Sequence, residues 1–369
     1  MLRNLIVILT VGAISVTPAL ACTDVRIVAD DGSVMTVRTM EYELQLRSGL
    51  VITPRGHVGT SPAPSGAKGL TWKAKYGFAY VNAFGLPIAL DGLNEAGLGF
   101  GALYLPGEAS YQDVSAGDDR KVLSNAFFGN WILANFATVE EVRAALDEVV
   151  VWGEPVPLLG SVLPLHYAVH DASGASLVIE YVKDGLHVYD NTVGVLTNSP
   201  TYDWQVTNLR NYVGLTAVNA APEKIGNVTY AATGQGSGLH GLPGDVTPPS
   251  RFVNAATTLH LADKPKDAAG ALTLAQHLID RVDIPRGLVR NYFKVGPIGI
   301  PLKEFTQWTV FRDHTNRVYM FRTYDDTSLR ALDLKEIDLS AGQPVRRMSM
   351  IGTKQAIEKL AIDRFTADK

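Results

Sequence analysis

Cysteine is almost absent from this sequence, because Cys22 is the one cysteine among 369 residues. A single thiol cannot form a disulfide within the chain, so disulfide-stabilised folds are excluded. The sequence also has no block of Lys or Arg and a formal net charge of −4, whereas nucleic-acid-binding proteins carry a basic patch. No stretch after residue 21 is long and apolar enough to span a bilayer. We therefore expect no nucleic-acid partner and, once residues 1–21 are removed, no stable membrane insertion.

The common nucleotide and hydrolase motifs are missing as well. There is no P-loop and no G-x-S-x-G nucleophile elbow. Residues 236–241 have the spelling of a dinucleotide-binding motif, but no strand precedes them. Pro243, Pro248 and Pro249 also argue against the helix that such a site requires at that point. We predict a loop there and no organic cofactor.

Two histidines are the strongest candidates for metal ligands. His166 and His170 would lie on one face of a strand, with Asp171 directly after them. A metal site requires ligands that converge at a recognisable spacing, and the remaining histidines are scattered. We predict no metal site and interpret both histidines as core or surface residues.

The N-terminal segment has the composition of a secretory signal peptide. Arg3 supplies the positive charge, residues 5–16 form a short apolar run, and Ala19-Leu20-Ala21 has the small-x-small pattern that signal peptidase cleaves. We predict that residues 1–21 are removed and that the protein is exported to the periplasm or the medium. The whole sequence is 46% hydrophobic and 19% charged, as in globular proteins, and no composition break marks a linker. Residues 22–369 are predicted to form a single domain.

Cleavage after Ala21 would make Cys22 the first residue, with an α-amine and a thiol on the same carbon atom. Their ordinary pKa values, roughly 7.7–8.0 and about 8.5, allow them to exchange a proton near neutral pH. Cys22 is thus a candidate nucleophile that carries its own base. Two alternatives remain: a buried structural cysteine, or a lipid anchor on a binding protein without catalytic activity. Signals for lipid anchors usually have their Leu further from the Cys than Leu20 is here.

Strand and helix patterns alternate in blocks along the chain. Two-residue periodicity predicts an initial hairpin, several strands up to Tyr104 that include residues 86–90, and a Gly/Pro/Ser-rich loop over residues 54–69. Helical spacing predicts helices at 121–136 and after Thr138, then at 251–261 and 268–279, with further strands between and after these pairs. This order predicts an α+β protein, a four-layer α/β/β/α sandwich of two antiparallel sheets.

Two charged residues follow Cys22 in the first hairpin. Antiparallel pairing brings Arg38, on the second strand, back toward Cys22. A cation there would favour the thiolate form of the cysteine. Glu41 follows three residues later, and we expect its carboxylate to bind the α-ammonium of Cys22 or Arg38.

Several segments together resemble the choloylglycine hydrolase family, which includes penicillin V acylases and conjugated bile salt hydrolases. The resemblance covers nearly the whole chain after the signal peptide and rests on segments that occur in the family's order. These are Cys22, Arg38-Thr39-Met40-Glu41, Asp91-Gly92-Leu93-Asn94-Glu95-Ala96-Gly97-Leu98, Leu196-Thr197-Asn198-Ser199-Pro200-Thr201-Tyr202-Asp203-Trp204, and Gly241-Leu242-Pro243-Gly244-Asp245 with Ser250-Arg251-Phe252.

The resemblance implies an N-terminal nucleophile hydrolase that cleaves a C–N amide bond of a small acyl amide without a cofactor. It implies that Cys22 attacks the carbonyl and that its α-amine shuttles the proton. Asn198 would supply the oxyanion-hole amide, with the backbone N–H of Tyr104 as the second donor. Arg38 and Arg251 match the two arginines that brace the nucleophile. The resemblance also implies a homo-oligomer, a tetramer.

Two positions differ within the family. Glu41 stands where many members have Asp. Tyr104 stands where penicillin V acylases have Tyr and bile salt hydrolases usually have Asn. Tyr104 therefore favours an aryl-acyl or fatty-acyl amide, most simply penicillin V, over a steroid conjugate. Bile salt hydrolysis and deacylation of N-acyl homoserine lactones remain alternatives.

Overall fold

The structure is a computed structural model that describes residues 21–115, 121–157, 159–295, 298–352 and 354–355. Residues 1–20, the larger part of the predicted signal peptide, lie outside the described residues. The single domain of residues 22–369 therefore stays a prediction. None of the helices in the described part of the chain has the length and apolar character needed to span a membrane.

In the residues that the structure describes, strands predominate and five α-helices interrupt them. In the first part of the chain the strands are β1 (Cys22–Val28), β2 (Val34–Tyr42), β3 (Gly49–Thr53), β4 (Val58–Pro62), β5 (Lys68–Lys73), β6 (Phe78–Val81), β7 (Asp91–Asn94), β8 (Gly99–Tyr104), β9 (Lys121–Ser124), β10 (Val149–Trp152), β11 (Pro155–Val156) and β12 (Ser161–Val162). The later strands are β13 (Leu165–His170), β14 (Ser176–Val182), β15 (Gly185–Asp190), β16 (Val195–Leu196), β17 (Glu223–Ile225), β18 (Val228–Tyr230), β19 (Val289–Val295), β20 (Ile298–Asp313), β21 (Val318–Thr323), β22 (Asp326–Asp333) and β23 (Arg346–Ser349). The helices are α1 (Phe128–Asn135), α2 (Val139–Ala145), α3 (Tyr202–Asn208), α4 (Pro248–Leu261) and α5 (Ala268–Asp280).

Two antiparallel sheets form the centre of the molecule. A 7-stranded sheet has the order β16-β1-β2-β20-β21-β22, with β19 paired to β20. An 8-stranded sheet has the order β15-β14-β13-β8-β7-β6-β3-β23. Strand β1 lies against β8, while α4 and α5 pack on the 7-stranded sheet and α1 packs on the 8-stranded sheet. The four-layer α/β/β/α sandwich predicted from the sequence is confirmed.

The central strands are covered on both faces. Every residue of β2, β7, β8 and β13 is buried. A strand with solvent on one face alternates between buried and exposed residues, so this uniform burial follows from the helix layer on one side and the second sheet on the other. Any charged side chain on these strands must therefore find its partners inside the protein.

The predicted loop at residues 54–69 is wrong, because much of it belongs to a hairpin of β4 and β5. Its Gly and Pro content concealed the alternation. Gly59 faces Trp72 across the hairpin, and a Cβ atom at position 59 would lie 2.4 Å from the indole ring. The glycine is thus required by the close approach of a large side chain, and it does not mark a loop.

Two other element predictions are corrected. The helix predicted for 121–136 begins only at Phe128, because Lys121–Ser124 form β9 and pair in parallel with β10. The strand predicted for 86–90 is an irregular segment, and the strand begins at Asp91. The helix predicted after Thr138 is present as α2, and Thr138 caps it, since its hydroxyl accepts a hydrogen bond from the Glu141 N–H at 3.2 Å.

Pro248 and Pro249 were expected to argue against a helix, but they do not prevent one. They occupy the first positions of α4, where no intrahelical N–H bond is made and the fixed φ of proline suits the helix. This places Arg251 at the end of the first turn of α4.

Candidate active site

Cys22 begins strand β1 and is buried at the centre of a cluster of polar groups. In the structure it is still joined to Ala21, so its nitrogen is a peptide N–H, which donates to Asn198 Oδ1 at 2.7 Å. Its carbonyl oxygen accepts a hydrogen bond from Arg251 Nη1 at 2.5 Å. Arg38 Nη2 lies 3.7 Å from Cys22 Sγ. The structure thus brings Arg38, Asn198 and Arg251 together at Cys22.

The hairpin explains the position of Arg38. Cys22 pairs with Met40, and Asp24 pairs with Arg38. The side chains of Cys22 and Arg38 therefore both lie on the inner side of the 7-stranded sheet. Burial raises the pKa of the Cys22 thiol, and the nearby guanidinium of Arg38 only partly opposes that effect. With Ala21 attached, the thiol is therefore protonated near neutral pH.

Arg38 belongs to a buried network of ion pairs between the two sheets. Its Nη1 atom lies 3.3 Å from Asp91 Oδ2, which Arg312 Nη1 approaches at 3.5 Å. Arg312 also pairs with Asp24, whose other oxygen lies 2.8 Å from His170 Nε2. Burial alone would raise the pKa of Asp24, but Arg312 and His170 outweigh it and hold that pKa below its ordinary value. The network fixes the guanidinium of Arg38 beside the thiol.

Glycines on the opposite sheet make room for this network. A Cβ atom at Gly101 would lie 3.2 Å from Arg38 Cδ and 3.4 Å from Asp24 Oδ2. At Gly99 it would lie 2.5 Å from the His314 ring. A larger residue at Gly101 would displace Arg38 and Asp24 from their partners, and one at Gly99 would displace the His314 ring and Arg312.

Glu41 makes no hydrogen bond or ion pair with Arg38, which was one of the two partners expected for it. Its carboxylate accepts hydrogen bonds from the hydroxyls of Thr39 at 3.1 Å and Thr306 at 2.6 Å. Burial raises its pKa to about 8, despite the opposing charge of Arg251. Its backbone N–H donates to the carbonyl oxygen of Ala21 at 3.1 Å. Glu41 therefore borders the peptide bond that the predicted cleavage would break.

Glu304 is a second buried carboxyl at the same place, and no sequence motif points to it. Its Oε1 atom accepts a hydrogen bond from the N–H of Ala21 at 2.5 Å. Burial raises its pKa to about 7, although the Ala21 N–H and Arg251 act in the opposite direction. The residue lies on β20, far from Cys22 in sequence, and only the pairing of β2 with β20 brings it close.

Asn198 and Tyr104 are in direct contact. Asn198 Nδ2 donates to the carbonyl oxygen of Tyr104 at 2.8 Å, and Arg251 Nη2 donates to Asn198 Oδ1 at 2.6 Å. These bonds fix the orientation of the side-chain amide. A carboxamide nitrogen carries two hydrogens, so Asn198 retains a second N–H for a substrate oxygen.

An apolar pocket opens beside Cys22. Apart from Cys22 and Glu41, its lining is made of apolar and aromatic residues from both sheets and the loops around them. They are Met40, Tyr42, Leu46, Ala83, Phe84, Ile88, Leu90, Ala102, Tyr104, Val156, Leu163 and Leu165. A pocket with this apolar lining beside the thiol suits an apolar acyl group.

The two candidate metal-ligand histidines have protein partners instead. His166 bonds Glu180 Oε1 at 2.8 Å and the carbonyl of Thr197 at 3.0 Å, and His170 bonds Asp24. In the described part of the chain no three His, Cys, Asp or Glu side chains are grouped so that they could hold a metal ion.

Known proteins share both the sequence pattern and the fold. Residues 22–347 match the family described as linear amide C–N hydrolases, choloylglycine hydrolase family. A bile salt hydrolase/transferase of Clostridium perfringens is 34% identical over 326 residues, which is 87% of this chain and 95% of that protein. A penicillin V acylase of Pectobacterium atrosepticum is 28% identical over 321 residues, covering 83% of this chain and 78% of that protein. A crystal structure of a conjugated bile acid hydrolase variant from Clostridium perfringens superposes with a TM-score of 0.80 at 29% identity, covering 92% of this chain and 100% of that one.

The chain belongs to the choloylglycine hydrolase family. It is therefore a hydrolase of linear amide C–N bonds with the N-terminal nucleophile hydrolase fold, and the family acts on small acyl amides. The resemblance found from the sequence motifs is confirmed.

The position of Asn198 in this choloylglycine hydrolase leads to a first prediction. We expect Asn198→Ala to lower kcat for amide hydrolysis by ~10²–10³-fold, because one preorganised oxyanion donor is worth that much. The measurement is kcat on a hydrolysed amide, with Asn211→Ala on the exposed surface as the matched control. A decrease of less than tenfold in a folded Asn198→Ala protein would show that Asn198 is not an oxyanion donor.

Proposed function

We propose that this choloylglycine hydrolase is an exported cysteine amidase in which cleavage after Ala21 makes Cys22 both nucleophile and base. The supporting observation is the convergence of Arg38, Asn198 and Arg251 on Cys22 at the edge of an apolar pocket. The buried position of Cys22 among these groups also favours catalysis over the lipid-anchor alternative, since an acylated anchor must face the membrane.

The reaction proceeds in two halves. The α-amine of Cys22 takes the thiol proton, and the thiolate attacks the substrate carbonyl to form a tetrahedral oxyanion that the Asn198 amide and the Tyr104 N–H stabilise. The C–N bond then breaks, the α-ammonium returns the proton to the leaving amine, and a thioester remains. Water attacks the thioester with the α-amine as base, and the carboxylic acid and free thiol are released.

Arg38 and Arg251 serve different parts of Cys22 in this scheme. Arg38 lies beside Sγ and stabilises the thiolate that forms during attack. Arg251 binds the Cys22 carbonyl oxygen and Asn198 Oδ1, so it fixes the nucleophile's backbone relative to the oxyanion donor. Neither arginine needs to move during the reaction.

We propose penicillin V, or an aryl-acyl or fatty-acyl amide like it, as the preferred substrate. Tyr104 lines the acyl pocket, and by the family resemblance tyrosine at this position is typical of penicillin V acylases. Bile salt hydrolysis is the second candidate, favoured by the 34% identity to the bile salt hydrolase/transferase of Clostridium perfringens.

A side-by-side assay on penicillin V, glycocholate and a long-chain N-acyl homoserine lactone tests this proposal. We expect a higher kcat/KM for penicillin V than for glycocholate. We also expect Tyr104→Asn to lower that ratio, because it removes the aromatic ring from the pocket. A ratio in favour of glycocholate in the unaltered enzyme would assign the activity to bile salts, and a preference for the lactone would assign it to deacylation of signalling molecules.

Export and assembly complete the proposal. The composition of residues 1–21 supports secretion to the periplasm or the medium. A homotetramer, the assembly implied by the family resemblance, is supported by the hairpin of β17 and β18. This hairpin exposes the apolar side chains of Ile225, Val228 and Tyr230, which association of subunits would cover.

A further inference from the structure

Ala21, the last residue that the proposed cleavage removes, is held inside the protein by two hydrogen bonds. Ala21 is buried, its N–H donates to Glu304 Oε1 at 2.5 Å, and its carbonyl oxygen accepts from the Glu41 N–H at 3.1 Å. One carboxyl and one backbone donor on neighbouring strands thus bind the last residue before Cys22.

Cleavage after Ala21 changes the surroundings of Glu304. The Ala21 N–H leaves, and a buried carboxyl that loses its hydrogen-bond donor is unfavourable unless another donor replaces it. The same cleavage creates an ammonium group on Cys22. In the uncut chain the nitrogens of Ala21 and Cys22 are separated by only three covalent bonds, so the new charge arises next to the vacated position.

The neighbouring groups favour Glu304 as the partner of this charge. Glu41 already accepts hydrogen bonds from the hydroxyls of Thr39 and Thr306. Arg251, on α4, is engaged by the Cys22 carbonyl and Asn198. The charged groups that act on Glu304 are Arg251, Glu41 and Glu43. Those that act on the thiol of Cys22 are Arg38, Glu41 and Arg251. The α-ammonium of Cys22 is thus expected between the carboxyls of Glu41 and Glu304. Glu304 is the one that has lost its hydrogen-bond donor, the Ala21 N–H.

We propose that Glu304 is a positioning residue for the α-amine of Cys22, and that it exchanges the Ala21 N–H for the α-ammonium when the chain is cleaved. This inference rests on the proposed function, in which the α-amine is the catalytic base. A carboxylate beside the amine favours its protonated form, so Glu304 raises the pH at which the base becomes free.

The test measures the α-amine itself, independently of catalysis. Chains that begin at residue 22 are made with Cys22→Ser, so that no thiol competes, and the α-amine is labelled with acetic anhydride across a pH series. The mass of the N-terminal peptide gives the extent of labelling. We expect Glu304→Gln to lower the pKa of the α-amine by roughly 1 unit, which means up to about tenfold faster labelling near pH 7.

The matched control is Glu336→Gln, which removes an exposed carboxyl at the surface. It should leave labelling of the α-amine unchanged. Glu304→Asp keeps the charge one methylene further away, so its effect should be smaller than that of Glu304→Gln, and it replaces that variant if Gln prevents folding. An unchanged labelling profile in a folded Glu304→Gln chain, or in Glu304→Asp if only that variant folds, would overturn the proposal.

The catalytic assay separates the two proposals. In the Cys22 enzyme, Glu304→Gln should move the acid limb of the kcat/KM profile to lower pH, in the same direction as the labelling. If Cys22→Ser still hydrolyses the substrate, the proposed function fails whatever Glu304 does. If Cys22→Ser is inactive but labelling does not depend on Glu304, only the role of Glu304 fails.

Discussion

Replacement of Cys22 by serine is expected to lower kcat/KM for amide hydrolysis by about 10⁴-fold or more, as loss of a covalent nucleophile typically does. A serine hydroxyl is far less acidic than a thiol, and an amine with a pKa near 8 cannot deprotonate it effectively. Since Cys22 is the one thiol of the chain, no neighbouring cysteine can take over.

The folded state should tolerate this change. Serine is close to cysteine in size, and its hydroxyl would lie beside the cationic Arg38, which is a suitable hydrogen-bond donor. We therefore expect a thermal unfolding transition like that of the unaltered enzyme, which distinguishes lost chemistry from lost structure. Substantial hydrolysis by a folded Cys22→Ser enzyme would refute the mechanism.

The second large effect concerns the residue before Cys22. A chain that keeps Ala21 is expected to be inactive, because the nitrogen of Cys22 is then an amide with no basic lone pair. That N–H is also bound to Asn198 Oδ1, and Ala21 occupies the space between Glu41 and Glu304. The thiol remains protonated as well, because burial raises its pKa. Three separate features of the uncut chain thus oppose catalysis.

The sequence predicted the parts of the site that local pairing determines. A hairpin that begins at Cys22 must return past it, so Arg38 could be placed near the thiol from strand periodicity alone. Asn198, Tyr104 and Arg251 lie far from Cys22 along the chain, and only the family resemblance connected them to it. The periodicity of the blocks was sufficient to predict the four layers because both sheets are antiparallel, so blocks of strands and blocks of helices alternate along the chain.

Other features depend on contacts that no local pattern records. Glu304 reaches Ala21 through the pairing of β20 with β2, and Arg312 reaches Asp24 across the same sheet. Charged residues within otherwise apolar buried strands were the available indication of this network. Gly59 contributed to a wrong prediction, because a glycine required by close packing against Trp72 was interpreted as a sign of a loop.

Comparison of two chains that differ by one residue tests the central claim most directly. One begins at Cys22 and the other at Ala21, each made by removal of an initiator methionine and verified by intact mass. Their kcat/KM values are measured on the substrate that the three-way assay selects. The mechanism predicts hydrolysis by the chain that begins at Cys22 and none above background by the chain that retains Ala21. Equal activity of the two chains would contradict the role of the α-amine as the catalytic base.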